Sequence, residues 1–188
     1  MNTPEQSLLK QLNRSFTVTG TATVNAEGKI DVTGNVTAKN RHMQDIPVSF
    51  GTVSGDFVLG LQQDLTSLKN CPDYVGGDFR VRALDITSLD HAPHTVKGQC
   101  VIGADLDSLE NLPDGSRNYR LSWTPTLPML RLVLARQVIW SFPVEFGGIS
   151  AGWEATKIVD RYVGRGQASA MALAAELAAA GFKGNARW

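Results

Sequence analysis

The sequence predicts an α+β protein: a short β-solenoid with an N-terminal capping helix and a C-terminal helical cap. The first observation is a four-residue motif that occurs three times, with a proline four residues after each copy. A second observation is that the repeats recur with a period of about 21 residues, which is typical of stacked solenoid coils. The three copies are Leu65-Thr66-Ser67-Leu68, Ile86-Thr87-Ser88-Leu89 and Leu106-Asp107-Ser108-Leu109, followed by Pro72, Pro93 and Pro113.

A third observation is the short stretch of alternating apolar and polar residues that precedes each copy of this motif. Its inward residues are predicted to be Phe57/Leu59, Phe79/Val81 and Cys100/Ile102, as in strands with one buried face. A glycine comes before each strand, at positions 55, 77 and 98. We expect these glycines to permit a tight turn or a positive φ. The serines between the leucines should bond to the backbone of the turns, and the prolines should end strand pairing.

The N-terminal residues favour a helix from about residue 4 to 13, within a capping segment that spans 1–15. Thr3 suits the N-cap, Pro4 the first helical position and Gln6 a capping box. Leu8, Leu9 and Leu12 then form one apolar stripe. We expect the helix to cover the open edge of the first coil, because exposed strand edges invite aggregation.

The solenoid is predicted to span 16–128. Residues 16–51 alternate as strands do, and Gly20 and Gly34 extend the glycine series with spacings of 14 and 21 residues. The interpretation is a shortened first coil followed by a nearly full one, since terminal repeats are commonly atypical. At the other end, 118–128 fit a partial fourth unit.

Residues 129–188 are predicted to form a mostly helical cap. We expect a short helix, a strand near Val138 to Phe142, a loop at Phe146-Gly147-Gly148, and a helix over 151–163. An alanine-rich helix over 167–180 should end at Gly181. Its small side chains suit either packing in the core or contact with a second copy, so a homo-oligomer is one possibility. The tail to Trp188 should pack back.

Charge and composition exclude several classes of protein. The net charge is zero, but residues 51–114 carry −6 and residues 115–188 carry +5. An acidic middle argues against a duplex-binding protein, which needs a continuous basic stripe. Cys71 and Cys100 occupy core positions of the repeat, which predicts free thiols in a reducing compartment. Neither a signal sequence nor a membrane span is predicted.

The repeat resembles leucine-rich-repeat-like proteins encoded by tailed bacteriophages. The likeness rests on the Gly-Asp-Phe-x-Val strand with Leu-Thr-Ser-Leu-x-x-x-Pro, and on the ending Ala180-Gly181-Phe182-Lys183-Gly184-Asn185-Ala186-Arg187-Trp188. It covers roughly residues 50–188. The resemblance implies a phage origin, a curved repeat fold and a location in the host bacterial cytoplasm. It does not imply one fixed activity.

Candidate binding residues are those that vary between repeats on the outward side of the strands. Solenoids bind partners across such faces, and arginine and tryptophan are favoured anchors. An ordinary solvated strand surface is the alternative interpretation. The predicted partner-binding residues are Val58, Asp78, Arg80, Arg82, Val101, Arg120 and Trp123.

Two further patterns in the sequence are weaker. Gly164-Arg165-Gly166 before a helix could offer amides to an anion, or could simply be a turn between helices. His91 and His94 flank Pro93, and without a third ligand at a recognisable spacing they fit a solvated turn better than a zinc site. No metal or cofactor is predicted. No Ser/His/Asp or Cys/His set suits nucleophilic catalysis, so the sequence does not predict an enzyme.

Three functional hypotheses follow. The first is a phage-encoded module that binds a host protein through the solenoid face and inhibits or diverts it, in host takeover or against a defence system. The second is a structural or assembly component of the virion. The third, least favoured, is a protein acting on nucleotides or nucleic acid through the basic C-terminal region.

Overall fold

The computed structural model describes residues 3–116, 118–142 and 149–188, with the side chains of 149–151 outside the description. The predicted loop at 146–148 therefore lies outside the described residues. The helices are α1 (Pro4–Ser15), α2 (Ile149–Asp160) and α3 (Ala170–Ala179). The strands are β1 (Phe16–Val24), β2 (Ile30–Ala38), β3 (Phe50–Val53), β4 (Phe57–Leu61), β5 (Tyr74–Val75), β6 (Phe79–Arg82), β7 (Thr95–Val96), β8 (Gln99–Gly103), β9 (Asn118–Ser122) and β10 (Val138–Ser141).

The predicted parallel solenoid is present, and its full coils place two strands in the stack. The short strands β3, β5 and β7 pair in parallel, and Thr95 continues their row by a bridge to Asp114. The longer strands form a second parallel row in the order β4, β6, β8, β9, β10. Strand β2 begins both rows, because its first half pairs with β3 and its second half with β4.

The first coil differs from the prediction. Strands β1 and β2 form an antiparallel hairpin, in which Gly20 lies opposite Gly34. The loop Asn25–Lys29 closes this hairpin, with the Asn25 side chain accepting from two backbone N–H groups. A hairpin needs only a short loop, whereas a parallel return needs a long crossover. The interval between Gly20 and Gly34 is too short for that crossover, so β1 is not a solenoid coil.

The glycine series marks close approach between coils. The N–H of Gly55, Gly77 and Gly98 each donates to the glycine carbonyl one coil earlier, at 2.9–3.0 Å. A Cβ on any of them would lie 2.1–2.3 Å from a side-chain oxygen of that earlier coil. None of these three has a positive φ. The expectation of a positive φ is therefore wrong for these three glycines. Glycine is required because a Cβ would collide with the earlier coil.

That side-chain oxygen belongs to a ladder running along the stack. Asn35 Oδ1 accepts from the N–H of Asp56 at 2.9 Å, and Asp56 Oδ1 accepts from Asp78 at 2.8 Å. Asp78 Oδ1 in turn accepts from the N–H of Gln99 at 2.7 Å. Each coil thus satisfies a backbone donor of the next coil, and a buried donor left unpaired would cost about 1–3 kcal/mol.

The core lies between the two rows of strands and the leucine turns. Its first end is aromatic: the ring of Phe50 meets those of Phe16 and Phe57 edge-on at 5.3 and 5.1 Å, and Phe57 stacks on Phe79 at 6.2 Å. The first and fourth residues of all three four-residue motifs are buried. Full burial of each such side chain contributes about 1.5–3 kcal/mol, so coils are held chiefly by their neighbours.

The turns after these leucines follow one pattern. The hydroxyls of Ser67, Ser88 and Ser108 accept from the backbone N–H two residues later, at 2.9–3.1 Å, as predicted. The third residue after each serine then has a positive φ. These residues are Asn70 (72°), His91 (65°) and Asn111 (62°).

The C-terminal cap closes the far end of the stack. It begins with a 3-10 helix at Leu130–Leu134, which β10, α2 and α3 follow. Gly152 of α2 packs against Trp123, and the Trp140 indole donates to Asp160 at 3.0 Å. The tail packs back through the buried side chain of Asn185. Its amide donates to the carbonyls of Thr124 and Leu127 at 3.2 and 2.9 Å.

Within the described ranges, no helix combines the length and apolar character needed to cross a membrane.

Candidate partner-binding face

The outward side chains of the longer strands form one continuous surface, which we call the long-strand face. Strand register places one residue from each of five strands side by side in its first row. The second row crosses the same strands at the next outward positions, and Ser122 lies beside Gly103 in it. The first row is Val58, Arg80, Val101, Arg120 and Ile139, and the second is Leu61, Arg82, Gly103, Ser122 and Ser141.

Five predicted binding residues come together on this face: Val58, Arg80, Arg82, Val101 and Arg120. The three arginines are exposed, and the two valines are half-buried between them. The acidic side chains that give residues 51–114 their negative charge are mostly elsewhere. Exposed turns hold Asp64, Asp85, Asp90, Asp107 and Glu110. The face is therefore locally basic although its segment is acidic.

Asp78 borders this face and has a structural role. Its Oδ2 accepts from the guanidinium of Arg80 at 2.6 Å, while its Oδ1 holds the ladder bond to Gln99. Burial acts to raise the pKa of Asp78, but the Gln99 N–H and Arg80 outweigh it and hold that pKa below its ordinary value. Asp78 is thus committed to the solenoid, and its pairing neutralises Arg80 in part.

Arg82 and Arg120 differ from Arg80 in their surroundings. Among the described residues, neither makes an ion pair with a carboxylate within 4.0 Å. Both line a depression of about 420 Å³, together with Gly103. A Cβ at Gly103 would lie 2.9 Å from the side chain of Arg82. Glycine keeps this depression open.

Apolar side chains around the depression were missed by the sequence analysis. Leu84 is 44% exposed and Leu61 is 39% exposed on the same side, with half-buried Phe142 at the far wall. Extending the repeat alignment to β10 would have found Ile139. Leu84 follows its strand, where alternation no longer predicts direction. In the part of the chain that the structure describes, the face therefore joins arginines without carboxylate partners to exposed apolar groups.

Trp123 does not belong to this face. The prediction that it points outward is wrong, because only 5% of its surface is exposed. Trp123 continues the inward positions of β9, and its ring packs on Gly152 of α2. Its bulk joins the helical cap to the sheet.

The glycine-rich turn after α2 offers little to an anion. The N–H of Gly166 donates to the carbonyl of Val133 at 3.0 Å, and the N–H of Arg165 donates to Tyr162 at 3.1 Å. The Arg165 guanidinium lies 5.5 Å over the ring of Tyr162. Two of the predicted amide donors are therefore used within the backbone, although Gly164 and Gly166 do have the positive φ of a turn. The geometry fits the alternative, a turn between helices.

The histidines and cysteines lie in different surroundings. His91 and His94 are exposed in a coil turn, where His91 fills the position held by Asn70 and Asn111. Both cysteines are buried free thiols, as the repeat pattern predicted, and burial raises the pKa of Cys100 to about 12. Such thiols are inert as nucleophiles. In the described part of the chain, no three His, Cys, Asp or Glu side chains are grouped to hold a metal ion.

Comparisons of the chain with protein-family models, with curated proteins and with solved structures found no match.

Proposed function

We propose that this protein is a binding module that attaches to another protein through the long-strand face. The observation that carries the proposal is the depression at Gly103, where Arg82 and Arg120 lie beside exposed Leu84 without a carboxylate partner among the described residues. Arginine is enriched at interface hot spots, which cluster where water is excluded, and apolar neighbours help to exclude it.

The chemistry of the face selects the kind of partner. A complementary surface carries carboxylates for the two arginines and an apolar side chain for the depression. Complementary charge speeds association and excludes partners of the wrong sign. A duplex nucleic acid is a poor fit, because the basic face is short and acidic turns border the same coils.

The resemblance to phage repeat proteins supports a more specific proposal. The partner is a protein of the bacterial host, and occupation of its surface by the solenoid inhibits or diverts it. Binding by occlusion needs no catalytic group in this chain. It needs a rigid face, and stacked coils with a bonded ladder supply one.

The test is affinity capture from host lysate followed by binding measurements on the purified partner. Arg82→Glu/Arg120→Glu reverses the charge without touching the ladder, whereas a change at Arg80 would disturb Asp78. We expect at least about 30-fold weaker binding, equivalent to about 2 kcal/mol. The matched control is Lys69→Glu/Lys97→Glu, which makes the same charge change on exposed residues away from the face. Equal affinities for both double variants would refute the face.

A further inference from the structure

Strand β1 presents an open edge of the sheet. Helix α1 buries Leu12 but leaves Thr19, Gly20 and Thr21 in the middle of β1 exposed, so the expected cover of this edge by the helix is incomplete. Its nine residues pair with β2 on one side, and no other described strand pairs with it. Open edges display a row of unpaired N–H and C=O groups, and proteins usually block them with charge or proline. The stretch Phe16–Val24 contains neither. At this end of the solenoid, the backbone of β1 can therefore form hydrogen bonds with a further strand.

The bonds to β2 show which groups point outward. At the hairpin ends, the N–H of Asn25 donates to Lys29 and the N–H of Lys39 donates to Ser15, both at 2.9 Å. Hydrogen-bonded pairs alternate along an antiparallel ladder. The odd-numbered residues of β1 therefore face β2. The N–H and C=O groups of residues 16, 18, 20, 22 and 24 face the open side.

The sequence of β1 is self-complementary about Gly20. Reversing Phe-Thr-Val-Thr-Gly-Thr-Ala-Thr-Val places threonine on threonine, apolar residues on each other (Phe16 on Val24, Val18 on Ala22), and glycine on glycine. In an antiparallel pair centred there, Thr17 lies opposite the second copy's Thr23, and Val18 opposite its Ala22. In this register, the backbone N–H and C=O groups of the even-numbered residues would form the hydrogen bonds between the two copies. Gly20 of one copy would form a hydrogen-bonded pair with Gly20 of the other on the two-fold axis.

The hairpin shows that this chain already accommodates such matches. In the β1–β2 register, Val18 lies opposite Val36 and Thr21 opposite Thr33, whose hydroxyls hydrogen-bond. Gly20 lies opposite Gly34. Pairing with a second copy would thus place similar residue types opposite each other, as β2 does, although the hydrogen-bonded positions would be the even ones and not the odd ones.

We propose that two copies of this chain associate through β1, antiparallel and about a two-fold axis at Gly20. The two sheets become one, and the row of half-buried apolar side chains at Val18, Ala22 and Val24 is covered by its symmetry mate. The surface used lies at the opposite end of the stack from β10. The dimer therefore leaves the long-strand face free and presents it twice, which would increase avidity for a multivalent partner.

A disulfide locates the register. Thr17 and Thr23 are exposed, and across the axis they form a non-hydrogen-bonded pair with Cα atoms about 4.5 Å apart, within disulfide range. Within one chain they lie about 20 Å apart along the strand, too far to bond. We expect Thr17→Cys/Thr23→Cys to form a covalent dimer on mild oxidation. Thr17→Cys alone should not, and the native thiols are buried.

Charge gives a second test, by sedimentation equilibrium against the 20.3 kDa chain mass. The wild type should form a species of twice that mass. Thr17→Lys/Thr23→Lys places lysine against lysine at both ends and should weaken the dimer at least about 10-fold. Thr17→Glu/Thr23→Lys places opposite charges together and should restore it. Circular dichroism confirms folding of each variant.

Three results would overturn the proposal: a monomeric wild type at all concentrations, equal dimerisation of the two charge variants, or no crosslink in the double cysteine variant. None of these measurements uses a host partner. Failure of the dimer is therefore distinguishable from failure of the long-strand face.

Discussion

Gly77→Ala is the sharpest test of how the coils fit together. The added Cβ would lie 2.2 Å from Asp56 Oδ1 and 2.7 Å from the carbonyl carbon of Gly55. The second contact is with backbone and falls about 0.7 Å short of ordinary van der Waals separation. The side chain of Asp56 could rotate away, but the backbone of the neighbouring coil cannot. Relief therefore requires the two coils to separate locally.

Separation weakens two bonds that join these coils. They are the 2.9 Å bond from the Gly77 N–H to the Gly55 carbonyl and the 2.8 Å bond from the Asp78 N–H to Asp56. Each contributes about 1 kcal/mol, and overpacking adds about 1–3 kcal/mol. We expect Gly77→Ala to lower the free energy of unfolding by about 3–5 kcal/mol.

Urea denaturation followed by circular dichroism measures this loss. The matched control is Gly60→Ala, at a φ of +65° with no atom within 4 Å of the new Cβ. That control should lose only about 1–2 kcal/mol, the cost of a left-handed backbone for alanine. If Gly77→Ala loses no more than Gly60→Ala, the close-approach explanation of the glycine series is wrong.

Three further predictions concern the turns, the ladder and the cap. His91→Gly should raise the free energy of unfolding by about 0.5–1 kcal/mol, because glycine accepts the 65° φ without steric cost; an unchanged denaturation midpoint would contradict this. Asp78→Asn keeps the ladder acceptor but loses the charge that Arg80 pairs with. Because the pKa of Asp78 is lowered in the folded state, its stabilisation is complete above the ordinary aspartate range and disappears as the pH falls through that lower pKa. The wild type should therefore be more stable than Asp78→Asn by up to about 1 kcal/mol at pH 7, and this difference should shrink as the pH falls through the lowered pKa of Asp78; a difference that does not shrink in acid would argue against the ion pair. Asn185→Ala leaves two buried carbonyls without its amide and should lower the melting temperature, with a loss of about 2–4 kcal/mol, whereas Trp188→Ala, at a half-exposed side chain, should change little.

The sequence allowed the solenoid to be predicted because the repeat carries its own physical pattern. The aliphatic residues at the first and fourth positions of each four-residue motif are buried, and the serines between them make the expected hydrogen bonds in the turns. The capping box of α1 was equally readable, since Thr3 and Gln6 exchange both bonds. These features depend on contacts between residues close in the chain or between equivalent positions of successive coils. Such contacts leave a regular pattern in the sequence.

What could not be predicted depends on pairing direction and on distant elements. Strand β1 alternates in the same way whether it pairs parallel or antiparallel, so only the loop length distinguished the hairpin from a coil. Trp123 looked exposed because its covering helix, α2, begins about 25 residues later along the chain. For the candidate face, the row of Val58, Arg80, Val101 and Arg120 followed from repeat register. The depression did not, because it needs Leu84 and Phe142 from irregular segments.

The ladder from Asn35 to Gln99 has a consequence for how this architecture can change in length. Each rung joins one coil only to the next, so a coil duplicated between Gly55 and Gly98 would meet the same acceptor in the coil before it and the same glycine in the coil after it. Every added coil would lengthen the binding surface by one strand spacing, about 4.8 Å. The two ends do not have this freedom, because the β1–β2 hairpin and α2 each match a single neighbour. Such a scaffold can fit partners of different size by changing the number of coils while both ends stay the same.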